Sequence, residues 1–214
     1  MNYIPKVHYI TQDIPGKTHQ ELAFEACKAG VELVQLRLKH LDKNEIYNIA
    51  LETQKICKKF NVNFIINDHL DIAAELNADG VHLGNEDADH ITARAFLGTN
   101  KIIGATAYNM AEAKLHQNNG IVDYIGVGTF KPTHTKPEIK TFLSLDEIAK
   151  MTEVLKKSFT SYIPILIIGG IKINDIKPLL DAGVYGIAIA SLINKSSDKS
   201  LVLKTINNII KNYK

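Results

Sequence analysis

VELVQLRLKHLDKNEIYNIALETQKICKKFNVNFIIND, residues 31–68, holds one full turn of the pattern that sets the fold. It carries an apolar run at 33–36 and another at 63–66. Both runs are short and continuous rather than alternating, as in strands buried on both faces of a parallel sheet. Between them Ile46, Ile49, Ala50, Thr53 and Ile56 recur at helical spacing. Asp42, with Glu45 three residues on, reads as a capping box that starts this helix.

The same alternation extends in both directions. Further apolar runs lie at 7–11, 80–83, 102–105, 124–127, 165–168 and 186–190, eight in all. Leu22, Ala23, Ala26 and Cys27 mark a helix after the first run, with Gly30 as its C-cap. Further helical patterns fall at 71–76, 91–96, 110–116, 145–156, 173–181 and 201–212. Strand then helix, eight times at about 27 residues per unit, predicts an α/β fold, a (β/α)8 TIM barrel. A doubly wound sheet competes but needs fewer strands. No linker or low-complexity tract interrupts the series, so residues 1–214 are expected to form one domain.

Composition narrows the function classes. Hydrophobic residues make up 45% and charged residues 22%, a globular mix, and with no Trp the core must be mainly aliphatic. The net charge is only +2 and Lys is scattered rather than striped, which argues against a nucleic-acid partner. No apolar run approaches the ~18 residues of a membrane span, and the start lacks a signal-peptide pattern. Cys27 and Cys57 show no metal or redox spacing and are expected as buried free thiols, consistent with a cytoplasmic protein. Small molecules are the expected partners, and assembly into a homo-oligomer is left open.

Active sites of such barrels form at the carboxyl ends of the strands. The second run ends Gln35-Leu36-Arg37-Leu38-Lys39, and alternation puts Gln35, Arg37 and Lys39 on one side. Arg is scarce here, only Arg37 and Arg94, and a guanidinium fork suits an anion. The other reading of Arg37 and Lys39 is an ion pair closing the rim. The third run ends Asn67-Asp68, and the fourth continues through His82 to Asp87. Two carboxylates beside a cationic cradle suit Mg²⁺, which takes few protein oxygens plus substrate phosphates. Each Asp could instead cap a helix, Asp68 before His69 and Asp87 before Ala88. For His82 the commoner outcome is a hydrogen-bonded rim histidine rather than a ligand. Thr106 ends the fifth run, either on a ligand or as a cap. Thr133, Thr135 and Lys136 follow the sixth run at spacings that can grip phosphate oxygens, the alternative being a flexible solvated loop. Gly170 after the seventh run, with Ala190 and Ser191 after the eighth, falls where barrels often hold a phosphate. Tight turn geometry alone is the alternative for that pair of loops.

Five motifs in register resemble one family. Gln35-x-Arg37-x-Lys39, Ile66-Asn67-Asp68, Gly80-Val81-His82-Leu83-Gly84-x-x-Asp87, Pro132-Thr133-x-Thr135-Lys136 and Ile168-Gly169-Gly170-Ile171 look like thiamine phosphate synthase. The resemblance runs from about residue 7 to 193. It implies a barrel transferase of thiamine biosynthesis. Such an enzyme joins 4-amino-2-methyl-5-hydroxymethylpyrimidine diphosphate to a thiazole phosphate and releases pyrophosphate. By the same resemblance, Arg37, Lys39, Asn67 and Lys136 hold the diphosphate, and Asp68 and Asp87 bind Mg²⁺. Gln35 and Thr106 lie near the pyrimidine and the leaving group. Thr133 and Thr135 face the thiazole phosphate, with Gly170, Ala190 and Ser191 completing its cradle. Arg37, Lys39, Thr106 and Lys136 are then the catalytic set. The chain departs from the family pattern at Leu38, Asn85, Thr106, 129–131 and 137–140. Leu38 should point away from Arg37 and Lys39. Two other readings share the barrel, a thiazole tautomerase and a non-catalytic barrel that senses thiamine precursors.

Overall fold

The computed structural model describes residues 2–132, 141–159 and 161–213. Eight strands close into a barrel in chain order, every neighbouring pair parallel. They are β1 (Val7–Ile10), β2 (Leu33–Leu36), β3 (Asn63–Asn67), β4 (Gly80–Leu83), β5 (Ile102–Ala107), β6 (Tyr124–Val127), β7 (Ile165–Ile168) and β8 (Gly186–Ile189). The intervening helices are α1 (His19–Ala29), α2 (Lys43–Phe60), α3 (Leu70–Glu75), α4 (His90–Leu97), α5 (Met110–Asn119), α6 (Leu145–Ser158) and α7 (Ile173–Asp181). A short α8 (Ser191–Asn194) follows β8, and α9 (Lys199–Lys211) ends the fold. The expected (β/α)8 barrel is therefore observed.

Local chemistry explains most helix ends. Asp42 and Glu45 form the capping box of α2, while Thr18–Glu21 and Ser144–Glu147 do the same for α1 and α6. Gly30 closes α1 in the left-handed conformation, at φ 97°. The final helix starts earlier than its apolar spacing suggested, at Lys199, because Asp198 caps it by accepting the Leu201 N–H. The eighth run was expected to reach 190, but Ala190 turns out of the ladder to start α8.

The core has two parts. Ile4, Leu33, Ile65, Ile102, Tyr124 and Leu166 cluster together in one of them. The larger cluster packs the remaining strand side chains against the helices. Cys27 and Cys57 are buried free thiols, their sulfurs 4.0 Å apart between α1 and α2. Polar groups gather toward the carboxyl ends of the strands, where the sequence placed the site.

Candidate active site

A cavity of about 500 Å³ lies at that end of the barrel. Gln35, Arg37 and Lys39 enter it from β2 and its extension, Asn67 and Asp68 from the end of β3, and Asp87 from the loop after β4. Thr106 comes from β5, Gly170 from the loop after β7, and Ala190 and Ser191 from the start of α8. Ten candidates from six separate segments thus line one space. Thr133, Thr135 and Lys136 lie outside the described residues. Leu38 points the other way, into the core.

The two arginines divide sharply. Arg94 is spent on structure: its guanidinium donates to the carbonyls of Gly98, Lys101 and Ile121 and pairs with Asp123 at 2.6 Å. Among the described residues the Arg37 guanidinium has no carboxylate partner, so it does not close the rim as an ion pair. Its backbone is tied instead. The Arg37 N–H donates to Thr11 Oγ1 at 3.1 Å. Thr11 is fixed in turn by His19 Nδ1 at 2.7 Å, whose Nε2 lies 3.2 Å from Asp13.

Lys39 and the two aspartates form one cluster. Lys39 Nζ sits 2.7 Å from Asp68 Oδ2, so the ion-pair reading holds for Lys39. The Asp68 and Asp87 carboxyls are near enough to shift each other's ionisation. Burial works against the Asp68 charge, but Lys39 and Asp87 outweigh it and hold that carboxyl below its usual range. Asp87 moves the opposite way, pushed up by burial and by its ionised neighbour. The two shifts are opposed because two like charges this close resist joint ionisation. Neither carboxylate is a helix cap, which corrects that alternative: α3 starts after His69 with no side-chain cap, and Asp89 caps α4. Asp87 accepts the Gly84 N–H at 2.6 Å, and Asp68 adopts a left-handed φ of 69°.

This donor set fits Mg²⁺. It is all oxygen, anionic, and short of ligands. Among the described residues no group of three or more His, Cys, Asp or Glu gathers to hold a metal alone. A hard cation that completes its shell with waters and phosphate oxygens suits such a half-built site.

The cavity floor is a hydrogen-bonded chain. Gln35 Nε2 donates to the Tyr124 hydroxyl at 3.4 Å. Tyr124 lies 2.9 Å from His82 Nδ1, and His82 Nε2 lies 2.9 Å from Thr106 Oγ1. His82 is thus a hydrogen-bonded histidine, as its context suggested. Glycine makes room for it. A Cβ on Gly104 would lie 2.2 Å from Tyr124 Cζ and 2.5 Å from His82 Nδ1.

The loops after β6 and β7 pack tightly. Gly169 and Gly170 have φ of 105° and 60°. A Cβ on Gly170 would lie 2.7 Å from the Pro132 carbonyl oxygen. Close loop packing thus requires glycine here, whatever else the cradle holds. Lys131 is turned from the cavity to Asp175, 2.5 Å away.

Three residues of this site escaped the sequence reading: Thr11, Tyr124 and His8. Each is a polar or polar-tipped residue inside an apolar strand run. That mismatch was the available signal, because a buried polar group needs a partner.

The model of a protein family described as thiamine monophosphate synthase matches residues 7–193. The thiamine-phosphate synthase of Clostridium novyi is 39% identical over 211 residues, covering 98% of this chain and 99% of that protein. The thiamine-phosphate synthase of Flavobacterium johnsoniae is 35% identical over 202 residues, 94% of each chain. The solved thiamine phosphate pyrophosphorylase from Pyrococcus furiosus superposes with a TM-score of 0.80 at 30% identity, covering 96% of this chain and 95% of its own.

Proposed function

The chain belongs to the thiamine monophosphate synthase family, and from that premise we propose that it is the Mg²⁺-dependent transferase of thiamine phosphate formation. It joins 4-amino-2-methyl-5-hydroxymethylpyrimidine diphosphate to a thiazole phosphate. The observation that carries this reading is the Arg37 guanidinium, without a carboxylate partner among the described residues, beside the Lys39–Asp68–Asp87 cluster in one cavity.

The bond to break joins the pyrimidine methylene carbon to the diphosphate oxygen. The pyrimidine ring can stabilise the cation left behind, so the protein's task is to stabilise charge on the departing diphosphate. Arg37 and Lys39 supply fixed positive charge, and Asn67 supplies an amide donor. The family resemblance assigns Lys136 the same role. Mg²⁺, when bound at Asp68 and Asp87, adds positive charge to the diphosphate oxygens. Gln35 and Thr106 hold the pyrimidine from below. Gly170, Ala190 and Ser191 face the second phosphate, and the family resemblance assigns Thr133 and Thr135 to it as well. The C–O bond breaks with its electron pair going to the diphosphate, the thiazole nitrogen lone pair then captures the methylene cation, and pyrophosphate is released. No covalent enzyme intermediate is needed: positioning and electrostatics suffice. Among the described residues no helix is long and apolar enough to cross a membrane. We place the reaction in the cytoplasm, where a reducing environment keeps Cys27 and Cys57 as thiols.

The test supplies both substrates and measures pyrophosphate with and without Mg²⁺. Release that needs both substrates and the metal is expected. Thiazole isomerisation without pyrophosphate, or binding without turnover, would overturn the reading.

A further inference from the structure

We propose that Tyr124 and His82 are positioning residues whose hydrogen bonds set the proton polarity of the cavity floor, so that Thr106 donates into the cavity and Gln35 accepts from it. The substrate part of this rests on the function proposed above. The polarity itself rests on the Gln35 amide orientation, with Nε2 directed at the Tyr124 hydroxyl.

The chain of contacts can be followed proton by proton. The Gln35 amide nitrogen donates to the Tyr124 oxygen. The phenol has one proton, and with its oxygen already accepting, that proton goes to His82 Nδ1. Burial pushes the Tyr124 phenol far above its usual range, so the proton is retained. An accepting Nδ1 puts the proton of a neutral imidazole on Nε2. Nε2–H then donates to Thr106 Oγ1. The Thr106 hydroxyl proton is left to point elsewhere, and both residues line the cavity. At the other end Gln35 has used a nitrogen on Tyr124, which leaves its oxygen as an acceptor.

The reverse chain uses the same distances. There Thr106 donates to Nε2, Nδ1–H donates to Tyr124, and Tyr124 donates to a turned Gln35 amide. That floor offers amide donors and a Thr106 oxygen that can only accept. An aminopyrimidine edge sets an exocyclic amine, a donor, beside a ring nitrogen, an acceptor. Each polarity would seat that edge in an opposite orientation, and the Gln35 amide, with Nε2 toward Tyr124, selects the first.

The surroundings hold the relay in place. Gly104 leaves the volume that the phenol and imidazole occupy, and a Cβ on Gly126 would stand 3.1 Å from His82 Cε1. His8 packs edge-on against Tyr124, with ring centroids 4.7 Å apart. Burial and the nearby His82 hold His8 neutral, with its pKa lowered to about 3. It braces the phenol without adding charge.

The experiment reads the His82 tautomer by long-range ¹H–¹⁵N correlation on ¹⁵N-labelled wild-type protein without substrate, assigning His82 through its backbone. Nε2–H with an unprotonated Nδ1 is expected, and an Nδ1–H tautomer overturns the polarity. Tyr124→Phe then removes the acceptor relay while keeping the ring. It should erase the tautomer bias and lower kcat/KM for the pyrimidine diphosphate about 10- to 100-fold, with KM for the thiazole phosphate unchanged. Unchanged kinetics, or equal losses toward both substrates, would overturn the positioning role. Because the tautomer is read without substrate, a wild-type protein that released no pyrophosphate would overturn the proposed activity while an Nε2–H signal still upheld the relay.

Discussion

Arg37 and Arg94 have the same side chain and different environments, and their substitutions should separate cleanly. Arg37 lines the cavity with no carboxylate partner among the described residues, while Arg94 satisfies three carbonyls and Asp123. Arg37→Ala should raise the barrier to pyrophosphate release by about 2–4 kcal/mol, the usual size of one lost electrostatic stabiliser. Arg37→Lys should recover only part of it, because an ammonium lacks the planar fork. Neither change should move the urea midpoint. Arg94→Ala should do the reverse, costing about 1–3 kcal/mol of stability through unpaired carbonyls and leaving turnover of the folded fraction intact. The aspartates make a third case. Asp68→Asn and Asp87→Asn keep the shape of the cluster but remove charge, so each should raise the Mg²⁺ concentration needed for half-maximal turnover. If both variants keep the wild-type Mg²⁺ dependence, the metal does not bind there.

Strands and helices carry a different kind of information. Apolar runs placed every strand to within a few residues, because burial on both faces leaves no other composition available. Capping chemistry placed the start of α2, and Asp42→Ala should cost about 1 kcal/mol of stability with no effect on turnover. Thermal unfolding monitored by circular dichroism would show it. What the runs did not announce was α8, whose four residues are too few for any helical period to register. Nor did they announce the purpose of Gly104. In sequence it is a glycine within a strand, which only weakens β structure. In the barrel it is the space that Tyr124 and His82 fill. Gly104→Ala should therefore hit turnover harder than Asp42→Ala while leaving the barrel folded, since the added methyl displaces two side chains of the floor. A Gly104→Ala protein with full turnover would show that the floor tolerates that displacement.

A closed barrel also buries groups that a smaller fold would leave wet, and His8 records this in the pH dependence of stability. Its pKa is lowered from the usual 6.5 to about 3 by burial and by His82. Between those values the unfolded chain binds a proton at this position and the folded barrel does not. Stability from this site is thus intact above pH 6.5 and falls as the pH drops toward 3, at up to about 1.4 kcal/mol per pH unit. The difference in urea midpoint between wild type and His8→Leu should shift along that slope as the pH is lowered from 7 to 5, and a constant difference would deny that His8 is held neutral. The barrel itself was readable from the chain because periodicity is local: each strand and each helix advertises its burial within a few residues. The candidate site was readable in its residue types, since Gln35, Arg37, Asn67, Asp68 and Asp87 stand at strand ends where a barrel must expose them. Which of those groups are free and which are paired was not readable. Among the described residues Arg37 has no carboxylate partner, Lys39 is bound to Asp68, and Tyr124 joins Gln35 to His82. Those contacts link residues dozens of positions apart, and barrel closure alone brings them within a hydrogen bond of each other.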